Sequence, residues 1–314
     1  MDSVKKTLLN IYRAFNNSLK ALEAIQVRNP DKPLPYPIVF ILGAPRSGTT
    51  LLYQSLVTAF DFSYFSNAHC RLFGAPWLVE RALNPSSRFQ RSSFRSRFGT
   101  TSGWNAPSEC GDFWYRFFPR HPQYVGMEDA DPKKMTELRA SVHAFLNASG
   151  KPLLIKNLPC ALRLEPLCKV FPEAVFLVVC RNETDTAHSI LESREKLYGS
   201  YERWFSLEPP DIGRLKSKSV PEQVIGQIRA VYRQIDKAKE QAGSHRFMRI
   251  RYEEFCAEPN KRLEEIQAFL SRHGLDLVQK TRLPESFDRR TDITIDKELY
   301  DELVQYIKDN PGNE

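Results

Sequence analysis

PIVFILGAPRSGTT, residues 37–50, runs from six largely apolar positions into a polar loop bounded by two glycines. An apolar run without alternation, closed by Pro on one side and Gly on the other, reads as a strand buried on both faces of a parallel sheet. Leu51–Phe60 then predicts a helix. Between strand and helix, Gly43–Thr50 fits G-x-x-x-x-G followed by two threonines. The backbone N–H groups of such a loop, with the N-terminus of the following helix, form a pocket for a phosphate. Gly48 lets the backbone approach an anion closely, and Ser47, Thr49 and Thr50 add hydroxyl donors.

The same kind of apolar run recurs at DFSYF (61–65), PLLIK (152–156), AVFLVVC (174–180) and, more weakly, RFMRIRY (246–252). Helical patterns separate them at Pro132–Ala148, Leu162–Phe171, Thr184–Leu197, Pro221–Ala242 and Pro259–His273. Strands alternating with helices predict an α/β fold, a P-loop-type, mainly parallel sheet flanked by helices. Residues 66–130, rich in Arg, Ser, Phe, Trp and Pro, break the rhythm. They read as an irregular and helical insertion that caps a substrate site at the carboxyl ends of the strands. Residues 36–314 are expected to form a single domain, preceded by an amphipathic helix and linker over 1–35. That helix places Val4, Leu8, Ile11, Phe15, Leu19, Leu22 and Ile25 at three- and four-residue steps. The stripe is expected to lie against the domain, a homodimer contact being its other use.

Composition narrows the classes. The 314 residues carry 45 Lys+Arg against 38 Asp+Glu, a net charge of +7, which suits an anionic partner. No recognised nucleic-acid motif accompanies that charge, and no nucleic-acid partner is expected. No stretch approaches the ~18 apolar residues of a membrane span. The N-terminus lacks the apolar core of a signal peptide. The six cysteines are scattered without a C-x-x-C pair, so reduced thiols, a cytoplasmic setting and no metal site are expected.

The loop departs from that of an ATPase or kinase. A Walker loop ends G-K-[ST], whereas Thr49 stands at the Lys position and the cation, Arg46, comes earlier. The run AVFLVVC ends in Arg181, where a Mg²⁺-holding Asp would be wanted. Arginine binds phosphate directly and bidentately but repels a metal ion. A second anion grip follows in CRNETDTAHS (180–189), with Arg181 leaving the strand and Ser189 early in the next helix.

Together GAPRSGTT and CRNETDTAHS resemble the two phosphate motifs of sulfotransferases that use 3′-phosphoadenosine 5′-phosphosulfate (PAPS), in the PRSGTT form of bacterial and tyrosylprotein sulfotransferases. LLIKNLP (153–159) is similar to the family's strand-ending Lys segment, and MRIRYEEFCAEPNKRLEEIQAFL (248–270) to its late strand and helix. The resemblance covers residues 36–272 and is thin over 66–130. It implies that Arg46, Ser47, Gly48, Thr49 and Thr50 hold the 5′-phosphosulfate and that Arg181 and Ser189 hold the 3′-phosphate. Tyr252 would line the nucleotide pocket, with Arg289 and Arg290 as a further clamp, although the family's late Arg-Lys-Gly signature is absent. It also implies metal-independent, in-line sulfuryl transfer from PAPS to a hydroxyl, or secondarily an amine, of a small molecule or biopolymer. Adenosine 3′,5′-bisphosphate would be released. Arg46 would act at the bridging oxygen through charge alone, since Arg does not give up a proton near neutral pH. Lys156 would be a second cation at the sulfuryl group.

A base must accept the acceptor's proton. Glu109, in GWNAPSECGDFW (103–114), is an acid in an aromatic segment, and burial there would favour its protonated form. His69 follows the second strand and has a near-neutral side chain. Asp112 and His121 are lesser candidates. The run Arg81, Arg88, Arg91, Arg95 and Arg97, interleaved with serines, reads as an electropositive lid or as a solvated loop. Two other readings stay open: an ATP-dependent P-loop kinase, and a non-catalytic nucleotide-binding protein of the same fold.

Overall fold

Among the described residues five short strands line up in parallel: β1 (Ile38–Gly43), β2 (Ser63–Tyr64), β3 (Leu153–Lys156), β4 (Val175–Cys180) and β5 (Phe247–Arg251), in the spatial order β2-β3-β1-β4-β5. The computed structural model describes residues 2–26, 33–88, 92, 94, 99, 101–289 and 292–312. Every residue of β1 is buried, and Val39 faces Leu154 on one neighbour and Val175 on the other. Because side chains alternate across a strand, Ile38, Phe40 and Leu42 enter one core with Trp114, Phe145, Phe171 and Phe176. Val39 and Ile41 enter a second core with Leu52, Leu56, Leu177 and Ile250. A strand with a core on each face has no solvent side, which is why its sequence shows no alternation.

The helices follow in chain order. First come α1 (Asp2–Gln26) and α2 (Thr49–Ala59), then α3 (Asn67–Arg71), α4 (Pro76–Leu83) and α5 (Gly111–Trp114) of the insertion. Next are α6 (Pro132–Ser149), a 3-10 turn over Leu158–Leu162, α7 (Leu164–Val170), α8 (Glu183–Tyr198) and α9 (Ile212–Lys216). The last are α10 (Val220–Ala242), α11 (Tyr252–Ala257), α12 (Pro259–Ser271) and α13 (Lys297–Asp309). Their ends follow local chemistry. Asp131 accepts from Lys133 N and Lys134 N to open α6, Asn182 accepts from Asp185 N to open α8, and glycines 150 and 199, both at φ 64°, close them. From β1 the chain turns to β2 and β3 on one side, while β4 and β5 lie on the other. The loop after β1 therefore opens at the point where the strand order reverses, where α/β sheets form a crevice.

Some elements differ from expectation. The strand read over 61–65 contracts to Ser63–Tyr64, an edge strand paired only with β3, and short edges are how sheets avoid unwanted pairing. The helix read from Leu162 is a 3-10 turn up to Leu162 and α-helical only from Leu164. The helices α9, α11 and α13 were not expected. In the insertion Phe113, Trp114, Phe117 and Phe118 join the core, while Trp104 is half exposed. Arg81 and Arg88 are exposed, and Arg91, Arg95, Arg97 and Arg290 lie outside the described residues.

The clearest correction concerns α1. It touches the domain through Tyr12, whose hydroxyl donates to Cys70 O (3.3 Å), and Asn16, which donates to Arg71 O (3.2 Å) and accepts from Gly74 N (2.9 Å). Glu23 is buried against Arg116 and accepts from Ser141 Oγ at 2.9 Å. Leu8, Ile11, Phe15 and Leu22, expected against the domain, are more than half exposed; only Leu19 among the described stripe positions approaches it. No described helix is long and apolar enough to cross a membrane.

Candidate functional site

The loop from Gly43 to Thr49 turns through two left-handed residues, Arg46 at φ 66° and Gly48 at φ 97°. Glycine reaches that region freely; an arginine there carries strain of about 1–2 kcal/mol. Gly48 is required for a second reason. A Cβ at this position would fall 2.2 Å from Cδ2 of Tyr252, whose ring lies directly on the loop. Gly48 is also the N-cap of α2 and makes no side-chain cap bond, unlike Asp131 of α6 and Asn182 of α8. Among the described residues no side chain caps the start of α2, and uncapped amides at a helix start are suited to an anion.

The hydroxyls divide. Ser47 is fully buried and its Oγ donates to Ala44 O (2.8 Å), so it holds the turn and offers its backbone. Thr49 is also buried, and Thr50 is partly buried at the loop's end. Tyr232 of α10 packs under the loop and donates to Val179 O (2.7 Å), with burial pushing its phenol up. This support came from a distant helix and was not read from the sequence.

The two anion motifs, 135 residues apart in the chain, are bonded to each other. Arg181 Nη1 donates to the carbonyl of Arg46 (3.1 Å), and Arg46 Nε donates to Ser189 Oγ (3.0 Å). Arg46 therefore leans toward the second motif. The Arg181 guanidinium stacks 4.9 Å from the centre of the Tyr252 ring, while its Nε is buried with no hydrogen-bond partner among the described residues. Burial pushes the Tyr252 phenol up to about 12, keeping the ring neutral. Glu253 accepts from Asn182 N (2.8 Å) and so fixes the entry into α8. Arg289 is exposed, close enough to the Cys256 thiol to act on it together with Arg181.

On the other side of the loop lies a second cluster. Lys156, expected as a second cation at the site, is 2% exposed and pairs with Glu109 Oε1. Glu109 Oε2 accepts from Leu158 N (3.2 Å), and its carbonyl accepts from Asn157 Nδ2 (3.2 Å). Glu109 thus faces a cation and an N–H where an apolar pocket was expected. A Cβ built at Gly99 would stand 3.5 Å from Glu109 Oε1, 3.6 Å from Lys156 Nζ and 3.7 Å from Thr50 Oγ1. Carboxylate, ammonium and loop hydroxyl therefore converge on one small volume. Asn157 and Leu158 lie in the LLIKNLP segment already singled out, but their hold on Glu109 is tertiary and has no signature in spacing.

His69 is elsewhere. Its ring has no exposed surface; Nδ1 bonds to Ser66 N (3.0 Å) and Ser66 Oγ (2.9 Å), and Nε2 lies 3.2 Å from Glu80 Oε2. It completes the capping box that starts α3. An enclosed ring with both nitrogens engaged inside the protein has no path to an acceptor, which removes the reason for reading it as the base. Asp112 pairs with Arg120, and His121 with Glu208 at 2.8 Å, both on the surface. No His/Cys/Asp/Glu group able to hold a metal ion occurs among the described residues.

A profile described as "Sulfotransferase family" matches residues 37–276, which includes both anion motifs and the Glu109–Lys156 pair. Over 252 residues the chain is 25% identical to "Omega-hydroxy-beta-dihydromenaquinone-9 sulfotransferase Stf3" of Mycobacterium bovis and of Mycobacterium tuberculosis, a span of 74% of this chain. The chain spans 62% of the length of these curated relatives. Among solved structures it is similar to sulfotransferase STF9 from Mycobacterium avium. That match has a TM-score of 0.51 at 15% identity and covers 90% of this chain and 70% of the other, a likeness of fold.

Proposed function

The chain belongs to the sulfotransferase family, and from that premise we propose that it moves a sulfuryl group from PAPS to an acceptor hydroxyl, or secondarily an amine, without a metal ion. The observation that carries this reading is the convergence of Thr50, Glu109 and Lys156 beside the anion loop. A base, a cation and a loop donor in one volume are what transfer to a hydroxyl demands. The residues present fit the donor: among the described residues Arg181 Nε is buried without a hydrogen-bond partner, and α2 begins with no side-chain cap.

In this reading Arg46, Ser47, Gly48, Thr49 and Thr50 hold the 5′ end of PAPS. Arg181 and Ser189 hold its 3′-phosphate, and the Tyr252 ring lines the pocket. PAPS supplies the sulfuryl group and leaves as adenosine 3′,5′-bisphosphate. Glu109 accepts the acceptor's proton at its carboxylate, held in place by Leu158 N–H and Lys156. Lys156 balances charge that builds on the transferred oxygens. Arg46 contributes charge and hydrogen bonds only. His69 has no part in the proposal. The name of the mycobacterial relatives specifies an omega-hydroxylated acceptor, which supports a hydroxyl here. Six free cysteines support a reducing, cytoplasmic setting.

The test is transfer from labelled PAPS by the full chain across a panel of hydroxyl acceptors, with and without EDTA. Labelled product unaffected by EDTA is expected. Silence across the panel, with adenosine 3′,5′-bisphosphate still raising the Tm, would favour a non-catalytic nucleotide-binding protein. A larger Tm rise with ATP and Mg²⁺ than with the bisphosphate would favour a kinase.

A further inference from the structure

The stripe that α1 turns away from the domain has a stricter period than an ordinary amphipathic helix. Leu8, Phe15 and Leu22 recur every seven residues, and Val4, Ile11 and Ile25 keep the same interval, with Ser18 filling the remaining place. Apolar residues at a and d of successive heptads mark a seam between two helices, not a face laid on a globular core. In the same frame Lys6, Arg13 and Lys20 fall at f, on the far side of the helix, while Thr7, Ala14 and Ala21 fall at g. Tyr12 and Leu19, at e, turn toward the chain's own domain. The helix thus divides into a domain-facing side, a charged back and an apolar seam whose free flank is small enough to admit another helix closely.

We propose that this seam pairs with the same seam of a second copy of the chain. The described seam carries no charge, so two copies meet without repulsion, which a two-fold interface requires of any patch facing itself. Leu8, Ile11, Phe15 and Leu22 are 60, 61, 52 and 51% exposed. At about 100 Å² uncovered for each such side chain, a pair buries about 800 Å² from these four alone. Ala14, Ala21 and the adjoining backbone bring it to about 1,000 Å², the lower limit for a specific contact. The dimer is accordingly weak and concentration-dependent. A lipid surface fits less well: in-plane helices flank the apolar face with cations that reach headgroups, whereas Lys6 and Arg13 project from the opposite side and Lys5 alone falls at a flanking position of the frame.

Sedimentation velocity of the full chain over about 1 to 100 µM is the test. Mass should rise with concentration from 36.3 kDa toward twice that value. The variant Ile11→Glu/Phe15→Glu should stay at monomer mass throughout, with the Tm of wild type at about 1 µM, where both are monomers, since both side chains are more than half exposed. A wild-type chain that stays monomeric at every concentration overturns the proposal, as does a variant that still dimerises. Co-sedimentation of a monomer with anionic vesicles, lost in the variant, overturns it in favour of a membrane surface.

Discussion

Lys156 is 2% exposed and its ammonium faces Glu109, so Glu109→Gln leaves a buried cation without its carboxylate. Removing one member of a fully buried pair costs about 3–5 kcal/mol. The Glu109 side chain is 30% exposed, and water reaching it lowers the cost to about 2–3 kcal/mol. For a chain of 314 residues that is a fall in Tm of about 3–5 °C. Lys156→Met should cost less, because Glu109 keeps Leu158 N–H and access to solvent. The double variant removes both charges and should return to within about 1 kcal/mol of wild type. Activity should behave differently. Glu109→Gln should slow transfer by about 10²–10⁴-fold, and the double variant should show no recovery, while adenosine 3′,5′-bisphosphate binds all three within about threefold. Thermal denaturation, nucleotide titration and single-turnover transfer on the four proteins complete the cycle. Stability losses that add to within about 0.5 kcal/mol would refute the pairing. Wild-type turnover by Glu109→Gln would refute the base.

Arg181→Ala should weaken adenosine 3′,5′-bisphosphate by about 10–100-fold by calorimetry, the loss of one or two charge-assisted bonds; an unchanged Kd would take Arg181 out of the site. Gly48→Ala combines a left-handed backbone with a contact 2.2 Å from Tyr252, and should cost more than about 3 kcal/mol. A Tm equal to wild type would show that the ring does not rest on the loop. Burial raises the Glu23 carboxyl over the opposing pull of Arg116, so the folded chain holds that proton more tightly than the unfolded one. The resulting stability is present below the ordinary Glu range and lost as pH rises through the raised value. Glu23→Gln should flatten the Tm profile across that window, and parallel profiles for the two proteins would count against the assignment.

Much of the α/β frame was legible because β1, β3 and β4 are buried on both faces and leave uninterrupted apolar runs. The anion loop was legible because glycines and hydroxyls fall in a fixed order between strand and helix. Periodicity failed at α1 in an instructive way. It located an apolar stripe but not what the stripe faces, and Asn16 and Glu23 dock the helix through hydrogen bonds that no hydropathy pattern records. For α13 the signal was present, with Asp296 capping a run in which Leu299, Leu303, Tyr306 and Ile307 share a face. The Glu109–Lys156 pair spans 47 residues and the Arg46–Ser189 bond 143, distances at which only the assembled sheet makes neighbours. His69 misled because a titratable ring near a strand end looks like chemistry until Ser66 and Glu80 enclose it.

The φ of 66° at Arg46 bears on how this protein would respond to selection. Glycine would occupy that position without the strain of about 1–2 kcal/mol, so a library screened for heat resistance alone selects Arg46→Gly wherever the relieved strain outweighs the contacts of the arginine side chain, the Ser189 bond among them. Such winners would have discarded the guanidinium that joins the two anion motifs. A thermostabilised lineage would therefore look improved round after round while its ability to tell the proposed donor from other anions declined, and only a screen that scores ligand discrimination alongside melting would keep the arginine.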